Sequence, residues 1–183
     1  MKNLVIAKRY AKALFGLAVK DGKIDQYGQE LDAFVQLMAQ LPDLADALRN
    51  PLYPEAVRKS LFASVADKAG LAPIIRSFLN LLIEKRRISN LSEITDFYHR
   101  LIDEHQNVAR ARLTAATQLD EQAIADIAKS LEKLTGKKVI VEFQVAPELI
   151  GGVVAQIGDL VLDGSVRRQL LNFKETLKRG ALG

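Results

Sequence analysis

Apolar positions over the first ~105 residues recur at helical spacing, in segments marked off by helix starts and stops. Asn3 can cap a helix running to about Lys20 and ended by Asp21-Gly22. A second helix spans about Lys23 to Leu41, with Ile24, Leu31, Val35 and Met38 on one face. Pro42 opens a short third helix, stopped at Asn50-Pro51 because a residue before proline avoids the α region. Pro54 opens a fourth through Val57, Leu61 and Val65, ended by Gly70, and Pro73 opens a fifth to about Lys85. Asn90-x-x-Glu93 reads as a capping box for a sixth through Ile94, Phe97, Leu101 and Ile102.

After about Gln106 the period changes. Ala109, Ala111, Leu113 and Ala115 alternate with Val108, Arg110, Arg112 and Thr114, the pattern of a strand with one wet face. Asp120 then caps a helix carrying Ile124, Ile127, Leu131 and Leu134, closed at Gly136. Val139, Val141, Phe143 and Val145 line one face of a second strand. Two short strands, about Gly152–Ile157 and Leu160–Leu162, flank the hairpin turn Gly158-Asp159, and Ser165 caps a last helix with Leu170, Leu171, Phe173 and Leu177. The fold class is therefore α+β: a six-helix all-α domain over 1–105 and a smaller mixed α/β domain over 106–183.

Two helices carry more apolar surface than one packing partner covers. On the first, Lys8, Arg9, Lys12 and Lys20 fall in one polar arc. Ile6, Tyr10, Ala13 and Leu17 form one apolar flank, and Leu4, Ala7, Ala11, Phe15 and Ala18 the other. On the fifth, Ile74, Ile75, Phe78, Leu79, Leu81, Leu82 and Ile83 likewise spread over an arc of about 200°, where a surface helix buries little more than ~100°. Both helices could be central in a bundle. Alternatively, part of each face could form a groove for an amphipathic helix of another chain.

Composition narrows the chemistry. The chain has 183 residues, 49% apolar and 26% charged, enough to bury a core. It has no Cys, which excludes thiol catalysis and Cys-type metal sites. Its two histidines, His99 and His105, read as exposed helix-end residues. No G-x-S-x-G, phosphate loop or dinucleotide fingerprint is present, so an enzyme, a resident metal and a cofactor are not expected. The net charge of +4 is shared evenly: 15 basic and 13 acidic residues in 1–105, and 11 and 9 in 106–183. Only 6% of residues are aromatic. A nucleic-acid adaptor, suggested by the basic first helix, is thus poorly supported. The basic N-terminus resembles a targeting signal, but Lys8, Arg9 and Lys12 interrupt its apolar run and it lacks Ser. It reads as a mature helix of a chain that stays in the cytoplasm. No apolar run approaches the ~18 residues of a membrane span.

The segment from Gly151 to Leu171 carries a family resemblance. Gly151-Gly152-Val153, Gly158-Asp159 and Leu162-Asp163-Gly164-Ser165-Val166-Arg167 resemble the signature region of the delta subunit family of the F-type ATP synthase, whose mitochondrial relative is the oligomycin-sensitivity-conferring protein. Ala7-Lys8-Arg9-Tyr10-Ala11-Lys12-Ala13-Leu14-Phe15 resembles the family's A-x-x-Y-A-x-A-x-F start. The resemblance implies a non-catalytic stator subunit. It would be present as a single copy in a hetero-oligomer, on the cytoplasmic face of the bacterial plasma membrane without inserting into it. The first domain would hold the N-terminal helix of a catalytic-head alpha subunit between its first and fifth helices. The second would contact the b subunits of the peripheral stalk. Placed on this chain, the groove floor is expected to be Ala7, Ala11 and Ala18 with Phe15 at the rim, and Ile75, Leu79 and Ile83, open in the free chain. Ile6, Ala13 and Leu17 are then expected in the core. Arg167 and Arg168, in the first turn of the last helix, are expected to be solvated or paired with acids such as Asp163, or to meet an anionic partner.

Overall fold

A computed structural model describes residues 2–149, 151–158 and 160–164, and the expected last helix, with Ser165, Arg167 and Arg168, lies outside them. The chain divides into two compact units, Met1–Ile102 and Asp103–Gly183.

The first unit is helical: α1 (Lys2–Asp21), α2 (Ile24–Gln40), α3 (Pro42–Arg49), α4 (Glu55–Ala69), α5 (Pro73–Glu84), a 3₁₀ turn at Ile88–Asn90, and α6 (Leu91–His105), whose last turn enters the second unit. Backbone chemistry sets the ends. Pro42 and Pro73 occupy the first turns of α3 and α5, where a missing N–H costs nothing. Asn50 is extended ahead of Pro51, and Gly70 ends α4 at φ +62. The Tyr27 hydroxyl donates to Asp21 Oδ2 at 2.7 Å, bracing the α1–α2 turn; that bond and burial push its pKa up to about 12. In the core Phe34 meets Phe62 edge-on at 5.6 Å, and the Tyr98 hydroxyl donates to the Ile24 carbonyl at 3.0 Å.

Two local expectations change. The inward stripe of α4 is Arg58, Phe62 and Ala66, one position on from the expected Val57, Leu61 and Val65; Val57 is exposed. The driver is Arg58, whose Nη1 donates to the Ile83 carbonyl, placing a cation at the negative end of α5. In place of a capping box at Asn90, the 3₁₀ turn runs directly into α6, and Glu93 Oε2 is buried without a partner.

The second unit starts in the last turn of α6, where Asp103 accepts hydrogen bonds from Arg110 at 2.7 and 3.1 Å. It comprises β1 (Val108–Ala115), α7 (Glu121–Thr135), β2 (Lys138–Val145), β3 (Val153–Ile157) and β4 (Leu160–Asp163). The strand order is β2-β1-β3-β4. β1 and β2 are parallel, joined by the α7 crossover, and β3 and β4 add antiparallel. Asp120 caps α7, its Oδ1 accepting from Ala123 N at 2.6 Å, and Gly136 closes the helix at φ +67. Leu131 turns into the core, but Leu134, expected beside it, is exposed at the last turn.

Candidate partner-binding site

The residues expected to floor an open groove are core residues of the free chain. Ala7, Ala11 and Ala18 on α1 and Ile75, Leu79 and Ile83 on α5 are all buried. The alanines let α1 pack closely against α2 and the 3₁₀ turn, with Leu14 buried among them. Small side chains here mark a tight helix contact, not a vacant slot. Phe15 is half-buried, edge-on to Tyr98 at 5.8 Å.

The flank expected in the core is the one left outside. Ala13 and Leu17 are exposed, Leu17 by 44%, and Ile6 and Tyr10 are half-buried. Positions 6, 10, 13 and 17 follow the i, i+4, i+7, i+11 spacing of a single helical stripe. On α5 the outer apolar positions are Ile74 and Leu81, the latter 40% exposed, with Phe78 turned inward between them. These stripes meet: the Tyr10 ring lies edge-on to Phe78 at 6.4 Å and 69°. That contact joins the outward stripe of α1 to that of α5, and the shared apolar face around it, which includes the exposed Leu17 and Leu81, is the candidate furrow. Tyr10, Ile74, Phe78 and Leu81 lie outside the set expected from the sequence, although the four-residue stripe on α1 is legible in it.

Charge gathers at the end of α5. Glu84 accepts from Lys85 at 2.7 Å and from Lys59 at 3.3 Å, and the two ammonium groups hold its carboxyl below the usual range. His99 is not a helix-end residue. It sits within α6, half-buried, with Nε2 2.9 Å from both carboxylate oxygens of Asp32 on α2. Among the described residues no group of acids and histidines is arranged to hold a metal, and no helix is long and apolar enough to cross a membrane.

In the signature region, Gly158 takes φ +55 in the turn between β3 and β4, and Gly152 takes φ +85 ahead of β3. Gly151 precedes it, half-buried. Gly164 N donates to the Val153 carbonyl at 3.0 Å, and a Cβ added there would lie 3.2 Å from that oxygen. That close backbone approach leaves little room for a side chain at Gly164. Asp163 is exposed at the end of β4; Asp159, Ser165 and Arg167 lie outside the described residues.

A family model for the ATP synthase delta (OSCP) subunit matches residues 6–177. The ATP synthase subunit delta of Syntrophobacter fumaroxidans is 68% identical over 183 residues, the whole of both chains. That of Desulfatibacillum aliphaticivorans is 48% identical over 179 residues, 98% of each. Among solved structures, a chain of the Toxoplasma gondii mitochondrial ATP synthase hexamer shares the fold, with TM-score 0.67 over 93% of this chain and 96% of that one at 19% identity. A chain of the Polytomella F-ATP synthase matches 54% of this chain and 87% of its own length, with TM-score 0.51 and 27% identity. The class these features define is a non-catalytic, structural subunit of a rotary ATP synthase. Specifically, the chain belongs to the ATP synthase delta (OSCP) subunit family, and its role is that of a stator subunit in ATP synthesis and ion transport.

Proposed function

We propose that this subunit joins the catalytic head to the peripheral stalk as a single copy at the cytoplasmic face of the membrane, without inserting into it and without binding nucleic acid. Its helical domain, residues 1–105, receives the N-terminal helix of a head alpha subunit. Its mixed domain, residues 106–183, contacts the stalk b subunits. The observation that carries the first contact is the furrow based on Tyr10 and Phe78. Its apolar banks, Ile6, Ala13 and Leu17 against Ile74 and Leu81, fit the apolar stripe of an incoming amphipathic helix. A joint of this kind resists torque through apolar burial, at about 25 cal/mol per Å², offset in part by association costs.

The test is titration of the full chain with an alpha-subunit N-terminal peptide. Leu17→Asp and Leu81→Asp should each weaken binding at least ~tenfold, as loss of a central apolar anchor does. Because both side chains are exposed in the free chain, melting should hardly change. Leu134→Asp, exposed in the second unit, should leave binding unchanged. Full affinity in both furrow variants rejects the site.

A further inference from the structure

Glycine in the middle of a helix costs stability unless something needs its missing side chain. Among the described residues two helices carry one, Gly16 in α1 and Gly28 in α2. Gly28 is explained within the chain. It is buried, and a Cβ there would lie 3.2 Å from Ile102 Cδ1 and 3.4 Å from His99 Cε1 of α6. Gly16 has no such reason. It is exposed, its backbone is not in the left-handed region, and a Cβ there would meet nothing within 4 Å. No described residue uses the close approach that Gly16 permits.

Gly16 lies on a defined stripe. Arg9, Ala13, Gly16 and Lys20 follow the i, i+4, i+7, i+11 spacing of one helix face, all exposed, beside the stripe of Ile6, Tyr10 and Leu17. The two small residues form its middle and the two cations its ends. Neither Arg9 nor Lys20 is ion-paired among the described residues. α1 has no acid before Asp21 to offset Lys2, Lys8, Arg9, Lys12 and Lys20, and Asp21 is bonded to the Tyr27 hydroxyl. α7, by contrast, mixes Glu121, Asp126 and Glu132 with Lys129 and Lys133. An uncompensated basic face of this kind favours an acidic partner.

We infer that the helix received by the candidate furrow crosses α1 over Ala13 and Gly16, its backbone close against them, and carries carboxylates that reach Arg9 on one side of the crossing and Lys20 on the other. The inference rests on the reading above, that the furrow takes a head alpha-subunit helix, and adds where that helix crosses and what charge it bears. The distance between packed helices is set by the side chains at their crossing, so small residues there bring the two backbones nearest. Other occupants fit the stripe less well. A bilayer surface takes up protruding apolar side chains and gains nothing from a glycine. A second copy would set one basic α1 against another, and like charges repel.

The test uses the full-length chain and an alpha-subunit N-terminal peptide. Gly16→Ala should melt later than the parent, because alanine is the better helix former, yet bind the peptide more weakly. Gly16→Leu should weaken binding at least ~fivefold, the loss expected of an overfilled contact. Arg9→Glu combined with Lys20→Glu should slow association about tenfold at low salt and flatten its dependence on salt. Parent-like binding in Gly16→Leu, an unchanged association rate in the charge-reversed chain, or an earlier melt in Gly16→Ala overturns the inference. Leu17→Asp separates this from the wider reading. Weakened binding there, with Gly16→Leu intact, leaves the furrow standing without this crossing, while no loss in either removes the furrow itself. Binding to vesicles containing phosphatidylserine that the charge reversal abolishes, with peptide association unchanged, assigns the basic stripe to a membrane surface instead.

Discussion

Among the described residues, the two units of this chain differ in how many apolar side chains they bury. Among these residues, the helical unit encloses twenty-three buried apolar side chains in one core, while the core of the mixed unit holds five, with Ala115 and Ala146 also buried. An exposed apolar face therefore has opposite meanings in the two. In the helical unit, Leu17 and Leu81 are surplus to a finished core, and a surplus is what a partner can use. In the mixed unit, Leu160 and Leu162 mark a core not yet finished by its described elements. A domain this small has little apolar burial to spare.

The sharpest way to break this contrast is to cut a cavity in each core. Leu79→Ala, fully enclosed, should cost the helical unit about 2–5 kcal/mol. Leu131→Ala, which lines an open hollow beside β3, should fall at or below the bottom of that range, because its site is already open on one side. Two units need not unfold in one step, so each should be followed by hydrogen exchange in its own elements. Equal costs would mean that the second core is as well enclosed as the first.

A second pair of variants tests which side of α1 is finished. Ala11→Trp drives a large ring into the buried flank and should cost about 1–3 kcal/mol. Ala13→Trp places the same ring on the exposed flank and should stay within about 0.5 kcal/mol of the parent. Thermal melts of the two decide it, and an early melt for Ala13→Trp with a stable Ala11→Trp would restore the opposite assignment.

That assignment was the part of the site that could not be read from the residues. Helix ends were legible because their causes are local: a proline ring at Pro42 and Pro73, a left-handed cap at Gly70 and Gly136, a carboxylate at Asp120. The period of two in β1 and β2 was legible for the same reason, and so was the turn at Gly158. The inner flank of α1 was not. Both flanks are apolar, and an alanine stripe is equally compatible with a vacant groove and with a close helix contact. Only the neighbours decide between them. The buried stripe of α4 was misread because Arg58 ranks as a surface residue until the Ile83 carbonyl at the end of α5 is known to lie beside it. The place of β3 beside β1 likewise depends on pairing between residues far apart in sequence, which no local pattern encodes.

Caps sharpen the comparison further. With Leu131 the only α7 side chain fully buried, the helix relies more on its own ends than α5 does, which buries Ile75, Phe78, Leu79, Leu82 and Ile83. Asp120→Ala should therefore cost the second unit about 1 kcal/mol, and Asp120→Asn almost nothing, since the amide oxygen can accept the same bond from Ala123 N. Amide exchange in α7 measures both. Equal protection in Asp120→Ala and the parent would mean that packing, not the cap, holds the helix start.

A last pair of small effects concerns how the helices end. α4 and α7 stop at glycines in the left-handed region, Gly70 and Gly136, and an added Cβ at either would meet nothing within 4 Å. α5 ends differently: Arg86, just past its last residue, takes φ +55, while Arg87 N returns to the Leu82 carbonyl at 2.7 Å. That is the geometry in which glycine is favoured, because a Cβ crowds the backbone there. Arg86→Gly relieves the crowding but lets the unfolded chain roam more widely, so the net gain should be small, up to about 1 kcal/mol. Gly136→Ala makes the opposite change in the second unit with no new contact and should lose about 1 kcal/mol. Measured together, the pair isolates backbone strain from packing. If Arg86→Gly destabilises the helical unit instead, the arginine side chain contributes a contact worth more than the strain it imposes, and the end of α5 becomes a further place to look for a partner.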